Sequence, residues 1–264
     1  MYEHLRRAAL EIAQEAGVLA LEMRKNLGNI HNKGDKDVVT EADFACDELI
    51  RQRIHEKFPD HNVVTEESQE VQKGSDFTWH VDPIDGTVNF ARGIPLWCVS
   101  IGVLHEKNLA AGAVVLPALG EVFSAAFGSG AFLNQEKINV SAIREMERAA
   151  ISQGDVNVGR NPEHLKQCNT RNENLRKLGE QKLQRIKCLG SAAIELCWTA
   201  AGRLEAYYMA YFNSWDVAAG ALILLEAGGK ISQWNGEAWD LTSETGLYSN
   251  GYLHPQMVDL GKRC

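Results

Sequence analysis

The sequence lacks the features that mark membrane-spanning, secreted and zinc-binding proteins. No run of 18 apolar residues occurs, so no transmembrane helix is expected. The N-terminus has no apolar segment followed by a small-residue cleavage site, so we expect no secretory leader. The six cysteines show no CxxC pair, which favours reduced thiols and a cytoplasmic location. The eight histidines show no HExxH or other zinc spacing, and we interpret them as surface or core residues.

Basic residues are too few to balance the acidic ones. The chain has 27 Lys and Arg against 35 Asp and Glu, which gives a net charge of −8. This excess disfavours direct binding to nucleic acid or to an anionic membrane. A phosphate substrate is compatible with the charge only if bound metal ions invert the sign of its site.

Two amphipathic helices are predicted at the start of the chain. Apolar residues recur at steps of three and four along the first helix: Leu5, Ala9, Ile12, Ala16, Leu19, Met23 and Leu27. This stripe predicts a long helix that ends near Gly28. The segment from Thr40 to Asp43 is typical of a helix N-terminal cap, with Asp in place of the usual Glu. It begins a second helix that stops at Pro59.

The pattern changes to short apolar runs between Trp97 and Phe132. These runs predict strands over 97–104, 109–116, 121–126 and 131–133. Their short connections suit hairpins, so we expect an antiparallel sheet with the first two helices packed on one face.

The segment 154–180 is the most polar part of the chain. It predicts a mostly exposed helix around 163–178 and offers a surface for partner contacts. We place a domain boundary near it, between an N-terminal α+β half over 1–145 and a C-terminal α/β half over 146–264. In the second half, strands and helices alternate again. The predicted elements are strands over 185–188, 205–209, 230–234 and 247–249, and helices over 191–201, 215–228 and from about Pro255.

The chain is organised around the stretch from Trp79 to Phe90. Asp82 and Asp85 stand three positions apart, and Gly86 and Thr87 follow at once. The apolar run before Asp82 predicts that it lies at the end of a strand. Gly86 permits a sharp turn there, and the Thr87 hydroxyl can cap free amides. Carboxylates beside such a turn suit a divalent cation together with an anion, most commonly phosphate.

Two other interpretations of this stretch have to be weighed. Asp-Pro and Asp-Gly are also ordinary turn dipeptides, and alone they would indicate nothing more. Haloacid-dehalogenase-type phosphatases use Asp-x-Asp-Gly-Thr, with the acids two residues apart. Here the residue two after Asp82 is Ile84, which can neither attack phosphorus nor donate a proton. A phospho-aspartate mechanism is therefore not expected.

Four acids are each predicted at a strand end or a helix start: Glu66, Asp82, Asp85 and Asp216. Each one alone is also explained by solvation or helix capping. If the four converge, their mutual repulsion requires cations. Ligands that are all oxygen select Mg²⁺, Mn²⁺ or Ca²⁺ over zinc.

In five segments the chain resembles the inositol monophosphatase family of Mg²⁺-dependent, lithium-sensitive phosphatases. The matching segments, in the family's order, are 37–43 (DVVTEAD), 65–68 (TEES), 81–90 (VDPIDGTVNF), 215–220 (WDVAAG) and 226–229 (EAGG). The resemblance implies a five-layered α-β-α-β-α sandwich of mixed α/β class, usually a homodimer, in which the N-terminal half carries most metal ligands.

The resemblance also implies roles for individual residues. Glu66, Asp82 and the Ile84 carbonyl would hold a first Mg²⁺, and Asp82, Asp85 and Asp216 a second. Gly86 and Thr87 would bind phosphate. The remaining assignments are Lys33 and Asp43 in the outer shell and Ser191, Ala192 and Met209 near the substrate.

The chemistry that the resemblance implies is direct attack of an activated water on phosphorus, with Glu66, Thr87 and Asp85 as the catalytic residues. A third, looser Mg²⁺ would lie near Glu66, Mn²⁺ would substitute, and Ca²⁺ and Li⁺ would inhibit. Inositol-specific relatives have a glutamate where this chain has Met209, and a thioether is a weak acceptor for a polyol.

We therefore expect a promiscuous phosphatase of small phosphorylated sugars or polyols, including inositol monophosphate. The alternatives are fructose-1,6-bisphosphatase or 3′-phosphoadenosine 5′-phosphate phosphatase activity. A further alternative is a regulatory partner of transcription or RNA-processing machinery.

Overall fold

Two β-sheets and the helices that flank them make up the fold. The computed structural model describes residues 1–25, 30–32, 38–154, 172–173 and 175–262. The helices are α1 (Glu3–Arg24), α2 (Glu41–Lys57), α3 (Thr87–Arg92), α4 (Ala192–Ala200), α5 (Ser214–Glu226) and α6 (His254–Lys262).

The strands fall into three groups. A small pair consists of β1 (Ile30–Asn32) and β2 (Val38–Thr40). The first sheet contains β3 (Asn62–Thr65), β4 (Phe77–Asp85), β5 (Cys98–His105), β6 (Asn108–Leu116), β7 (Glu121–Ala126), β8 (Gly130–Leu133) and β9 (Glu136–Ile138). The second contains β10 (Ala150–Gln153), β11 (Arg185–Lys187), β12 (Ala206–Ala210), β13 (Lys230–Ser232) and β14 (Thr245–Ser249).

The first sheet has its strands in chain order and one parallel pair. Strand β3 runs parallel to β4, and every later pair from β4 to β9 is antiparallel. Helices α1 and α2 cover one face, where residues such as Ile12 and Ile50 pack on Trp79, Val81 and Ile101. The sequence prediction of an antiparallel sheet beneath two helices is confirmed. The β3–β4 pair adds the parallel connection that matters for the site.

Helices α4 and α5 lie between the two sheets. Their apolar side chains pack against β5–β8 on one side and against Tyr207 and Tyr248 of the second sheet on the other. Helix α5 sits very close to the first sheet. A Cβ atom on Gly102 would lie 2.7 Å from the Ala218 Cβ and 2.9 Å from the Ala219 nitrogen. Small residues on both partners therefore set the depth of α5.

The second sheet has the order β11-β10-β12-β14-β13, parallel across the first three strands and antiparallel across the rest. Helix α6 and helical residues 175–179 cover its outer face, where Met257 and Leu178 pack with Ile151, Tyr208 and Leu247. Helix layers and sheets thus form five alternating layers, and the predicted α-β-α-β-α sandwich is confirmed.

Several predictions extend to segments that the structure does not describe. Residues Leu27 and Gly28, Lys33 and most of the predicted helix around 163–178 lie outside the described residues. The division into halves 1–145 and 146–264 stays a prediction. Cys46, Cys98 and Cys197 are buried and form no disulfide. Within the described part of the chain, no helix is both long and apolar enough to cross a membrane.

Candidate active site

Asp82 and Asp85 lie at the end of β4, on either side of a β-bulge. Asp82 pairs with Ser100 of β5 and Asp85 with Cys98, so three steps along β4 match two along β5. Pro83 has no N–H to offer the ladder, which favours such an irregularity. Both acids are buried. The Asp82 Oδ1 accepts a hydrogen bond from the Ile84 nitrogen at 3.1 Å.

Glu66 is brought next to Asp82 by the parallel pairing of β3 with β4. Thr65 pairs with Val81, and the Glu66 nitrogen donates to the Val81 carbonyl at 3.2 Å. Because the carboxyl ends of parallel strands meet at one sheet edge, the two acids share that edge. The loop that follows is fixed at Ser68, whose hydroxyl donates to buried Asp47 at 2.5 Å.

Asp216 enters from the first turn of α5. Its Oδ2 accepts a hydrogen bond from the Asn213 nitrogen at 2.7 Å, so it also caps the helix. Two residues earlier, Ser214 lies 2.7 Å (Oγ to Nδ1) from buried His80, which precedes Asp82 by two on β4. This contact ties the start of α5 to the strand that carries Asp82.

Asp85 is held by the N-terminus of α4. Its Oδ2 accepts from the Ser191 hydroxyl at 2.6 Å and from the Ala193 nitrogen at 2.7 Å. Its Oδ1 accepts from the Ala192 nitrogen at 3.3 Å. The Cys98 Sγ lies 3.7 Å from Oδ2. Three N–H or O–H donors and the positive end of a helix favour the ionised form of this carboxyl.

The four acids influence one another electrostatically. Burial raises the pKa of Asp82 well above its ordinary value, and the charges of Glu66, Asp85, Asp216 and Asp43 raise it further. Burial is also the main cause that raises the pKa of Asp216, with added repulsion from Asp85 and Glu66. Burial raises the pKa of Asp85 as well, against its hydrogen bonds, which lower it. The charges of Glu66, Asp85 and Asp216 all act on Asp82, so the four carboxyls lie in one region of the fold.

The donor set fits a hard divalent cation by its chemistry. All four side chains offer oxygen, and cations would relieve the repulsion that contributes to the raised pKa values of Asp82 and Asp216. The side chains as they stand do not enclose one point. Among the described residues, no group of three or more His, Cys, Asp or Glu is arranged as a ready-made metal site. The assignment of a metal site is therefore supported by the oxygen chemistry and the proximity of the acids, and not by an existing coordination geometry.

The turn after Asp85 is shaped by Gly86. Its φ of +91° lies in the left-handed region that glycine adopts without strain, and it directly precedes α3. A Cβ there would come within 2.9 Å of the Leu96 carbonyl oxygen. The Thr87 hydroxyl lies 3.0 Å from the Ile84 carbonyl oxygen and 3.2 Å from the Asp43 Oδ1.

Comparison with known proteins agrees with this geometry. The model of the inositol monophosphatase family matches residues 1–262. The chain belongs to the inositol monophosphatase family.

Individual relatives of this family match nearly the whole chain. Inositol monophosphatase 2 of Solanum lycopersicum is 37% identical over 257 residues, covering 95% of each protein. A fructose-1,6-bisphosphatase/inositol-1-monophosphatase of Thermotoga maritima is 33% identical over 253 residues, covering 95% of this chain and 93% of its own. The crystal structure of the extragenic suppressor protein suhB from Bartonella henselae superposes with a TM-score of 0.90. It is 30% identical and covers 98% of this chain and 99% of its own. Family membership makes the protein a phosphatase, a phosphoric monoester hydrolase.

The inositol monophosphatase fold places the other predicted residues as follows. Asp43 forms the expected cap at the start of α2, accepting from the Thr40 nitrogen at 2.8 Å, and it also reaches Thr87. Ser191 and Ala192, predicted near the substrate, both donate to Asp85. Met209 is half-buried on β12, beside Gly154.

Sequence reasoning missed several residues that support the inositol monophosphatase site. These are Asp47, which holds Ser68, the His80–Ser214 pair and Asn89, which bonds to the segment before α4. The one available signal was the alternation on β4, which puts His80 on the same face as Asp82. Ser214, which contacts His80, and Leu189, which accepts from Asn89, each lie at least 100 residues further along the chain.

Proposed function

We propose that the protein hydrolyses small phosphorylated sugars or polyols, inositol monophosphate among them, in a Mg²⁺-dependent reaction. The observation that carries this proposal is the proximity of Glu66, Asp82, Asp85 and Asp216. The charges of the other three acids raise the pKa of Asp82, and those of Asp85 and Glu66 raise the pKa of Asp216. A pocket of uncompensated acids repels a phosphate dianion, so these residues suit that substrate only together with cations.

The proposed metal ligands are those that the family resemblance implies. Glu66, Asp82 and the Ile84 carbonyl would hold one Mg²⁺, and Asp82, Asp85 and Asp216 a second. A third would lie near Glu66, and Mn²⁺ would substitute. When bound, such ions polarise phosphate oxygens and lower the pKa of water.

The chain's own groups orient the reactants. The Thr87 hydroxyl has one proton to donate, and the Ile84 carbonyl and Asp43 are its neighbouring acceptors, so an oxygen lone pair would accept a hydrogen bond from the attacking water. Glu66, on the neighbouring strand end, would accept the proton that this water loses. The turn at Gly86 and Thr87 would bind the phosphate oxygens. Asp85 would be kept ionised by Ser191, Ala192 and Ala193.

Substrate choice follows from the side chain at position 209. A thioether cannot accept two strong hydrogen bonds from ring hydroxyls, so Met209 does not select for inositol as a carboxylate would. We expect several sugar and polyol phosphates to be hydrolysed, fructose 1,6-bisphosphate included, as in the name of the Thermotoga maritima relative. We further propose a cytoplasmic homodimer that Li⁺ and Ca²⁺ inhibit.

The test combines substrate profiling with substitution of the acids. Asp82→Asn and Asp85→Asn should each lower Mg²⁺-dependent turnover by at least about a hundredfold, because each removes a charged ligand. Circular dichroism checks that both variants fold. Asp60→Asn is the matched control, since Asp60 is exposed at the opposite end of β3. Near-normal turnover in either ligand variant would remove the metal assignment.

A further inference from the structure

The interface between the turn after Asp85 and the segment before α4 is unusually close. The Gly86 Cβ position would lie 3.2 Å from the Gly190 carbonyl oxygen and 3.3 Å from the Ser191 Cβ. Gly190 has a φ of +76°, and its Cβ position would lie 3.2 Å from the Asn89 Nδ2. Two glycines in left-handed conformations thus let two distant segments touch, with one amide side chain beside them.

Asn89 joins these segments through its amide nitrogen. Its Nδ2 lies 2.7 Å from the Leu96 carbonyl oxygen, 2.8 Å from that of Leu189 and 3.5 Å from that of Gly190. Because all three neighbours are acceptors, the amide must present its nitrogen to them. Asn89 is buried, so its loss would leave carbonyl groups without partners away from water.

The same segment is held from its other side by Glu195. This buried side chain accepts a hydrogen bond from the Leu189 nitrogen at 3.0 Å and another from the Ser152 hydroxyl at 2.5 Å. Leu189 is therefore fixed at its carbonyl by Asn89 and at its nitrogen by Glu195. Its position sets where the next residues begin α4.

We propose that Asn89 is a positioning residue that aligns the Asp85 carboxylate by fixing Leu189–Ala193. It does not touch the acid. It fixes the Leu189 and Gly190 carbonyls, and the donors that follow, Ser191 to Ala193, orient both oxygens of Asp85. The consequence for metal binding rests on the proposed function, whereas the consequence for the α4 N-terminus does not.

The test compares Asn89→Ala with Asn250→Ala. Asn250 is also buried, and it donates to the Ile143 carbonyl at 2.9 Å and the Ser141 hydroxyl at 3.2 Å, away from the four acids. Hydrogen–deuterium exchange on the metal-free protein should show faster exchange over 189–193 in Asn89→Ala alone. The Kd for Mn²⁺, read from the electron paramagnetic resonance signal of the free ion, should rise roughly tenfold or more in Asn89→Ala and stay unchanged in Asn250→Ala.

A double-mutant cycle with Ser191→Ala separates positioning from general loosening. If Asn89 acts through Ser191, Ser191→Ala should weaken Mn²⁺ binding less in the Asn89→Ala variant than it does in the wild type. Equal losses of melting temperature in Asn89→Ala and Asn250→Ala, with wild-type Mn²⁺ affinity and exchange over 189–193, would overturn the proposal. Should Asn89→Ala not fold, Asn89→Ser gives the same readouts. If the wild type neither binds Mn²⁺ nor hydrolyses phosphate esters, the proposed function fails and exchange over 189–193 alone decides the role of Asn89.

Discussion

Replacing Gly102 by alanine should disturb the site from a distance. The new Cβ would lie 2.7 Å from the Ala218 Cβ and 2.9 Å from the Ala219 nitrogen. One of these contacts is to backbone, so α5 has to move away from β5 by about 0.5–1 Å to reach ordinary van der Waals distances. Overpacking of this kind typically costs about 1–3 kcal/mol.

The displacement of α5 should also reach catalysis, because the same helix carries Asp216 in its first turn. A misplacement of about 1 Å at a reacting centre can cost on the order of a hundredfold in rate. We therefore expect Gly102→Ala to lower kcat/KM by roughly tenfold to a hundredfold, although Gly102 belongs to no part of the site.

The assay is denaturant unfolding together with Mg²⁺-dependent phosphate release. The control is Gly179→Ala, because nothing lies within 4 Å of the Cβ position there and Gly179 is in a helix. That change should be neutral or should stabilise the protein by up to about 1 kcal/mol. If Gly102→Ala unfolds at the wild-type denaturant concentration and keeps wild-type kcat/KM, the close packing of α5 on β5 does not position Asp216.

Two further predictions concern protonation and the reaction course. Burial lowers the pKa of His254 to about 4, and its ring lies between the Ser249 and Ser232 hydroxyls. The unfolded chain takes up a proton on this histidine near pH 6.5, whereas the folded chain does so only near pH 4. The free energy of unfolding is therefore unaffected by His254 above pH 6.5 and falls by up to about 3 kcal/mol as the pH drops toward 4. His254→Gln should flatten the free energy of unfolding across this range relative to wild type; parallel curves would contradict the assignment. Hydrolysis in ¹⁸O-water should place the label directly in phosphate, and a trapped acyl-phosphate would contradict direct attack by water.

Sequence periodicity predicted most elements to within two or three residues. The stripe from Leu5 gave α1, and the strand over 121–126 matches β7 at both ends. These patterns are local, since a helix or strand repeats its own period over few residues. The acids at strand ends were predictable for the same reason, because Asp82 and Glu66 each follow an apolar run.

The supports of the acids were not predictable, because they join residues far apart in sequence. Ser191 binds Asp85 across 106 positions and Ser214 binds His80 across 134. A serine before a helix is explained by capping alone, and Ser191 does lie 3.4 Å from the Ile194 nitrogen. Nothing local distinguishes that role from its second role of holding the Asp85 carboxylate of the first sheet.

The hydrogen bonds between Asp85 and the start of α4 have a consequence for recombination between relatives. The acid comes from one sheet and its donors from a helix that the chain reaches a hundred residues later. A chimera that joins the first half of this protein to the second half of a distant relative would preserve every proposed ligand. The hydrogen-bond donors at the start of α4 would then come from the relative and would be misplaced relative to Asp85. Exchange of halves should therefore succeed only between parents that share the spacing from the left-handed glycine to the first turn of α4.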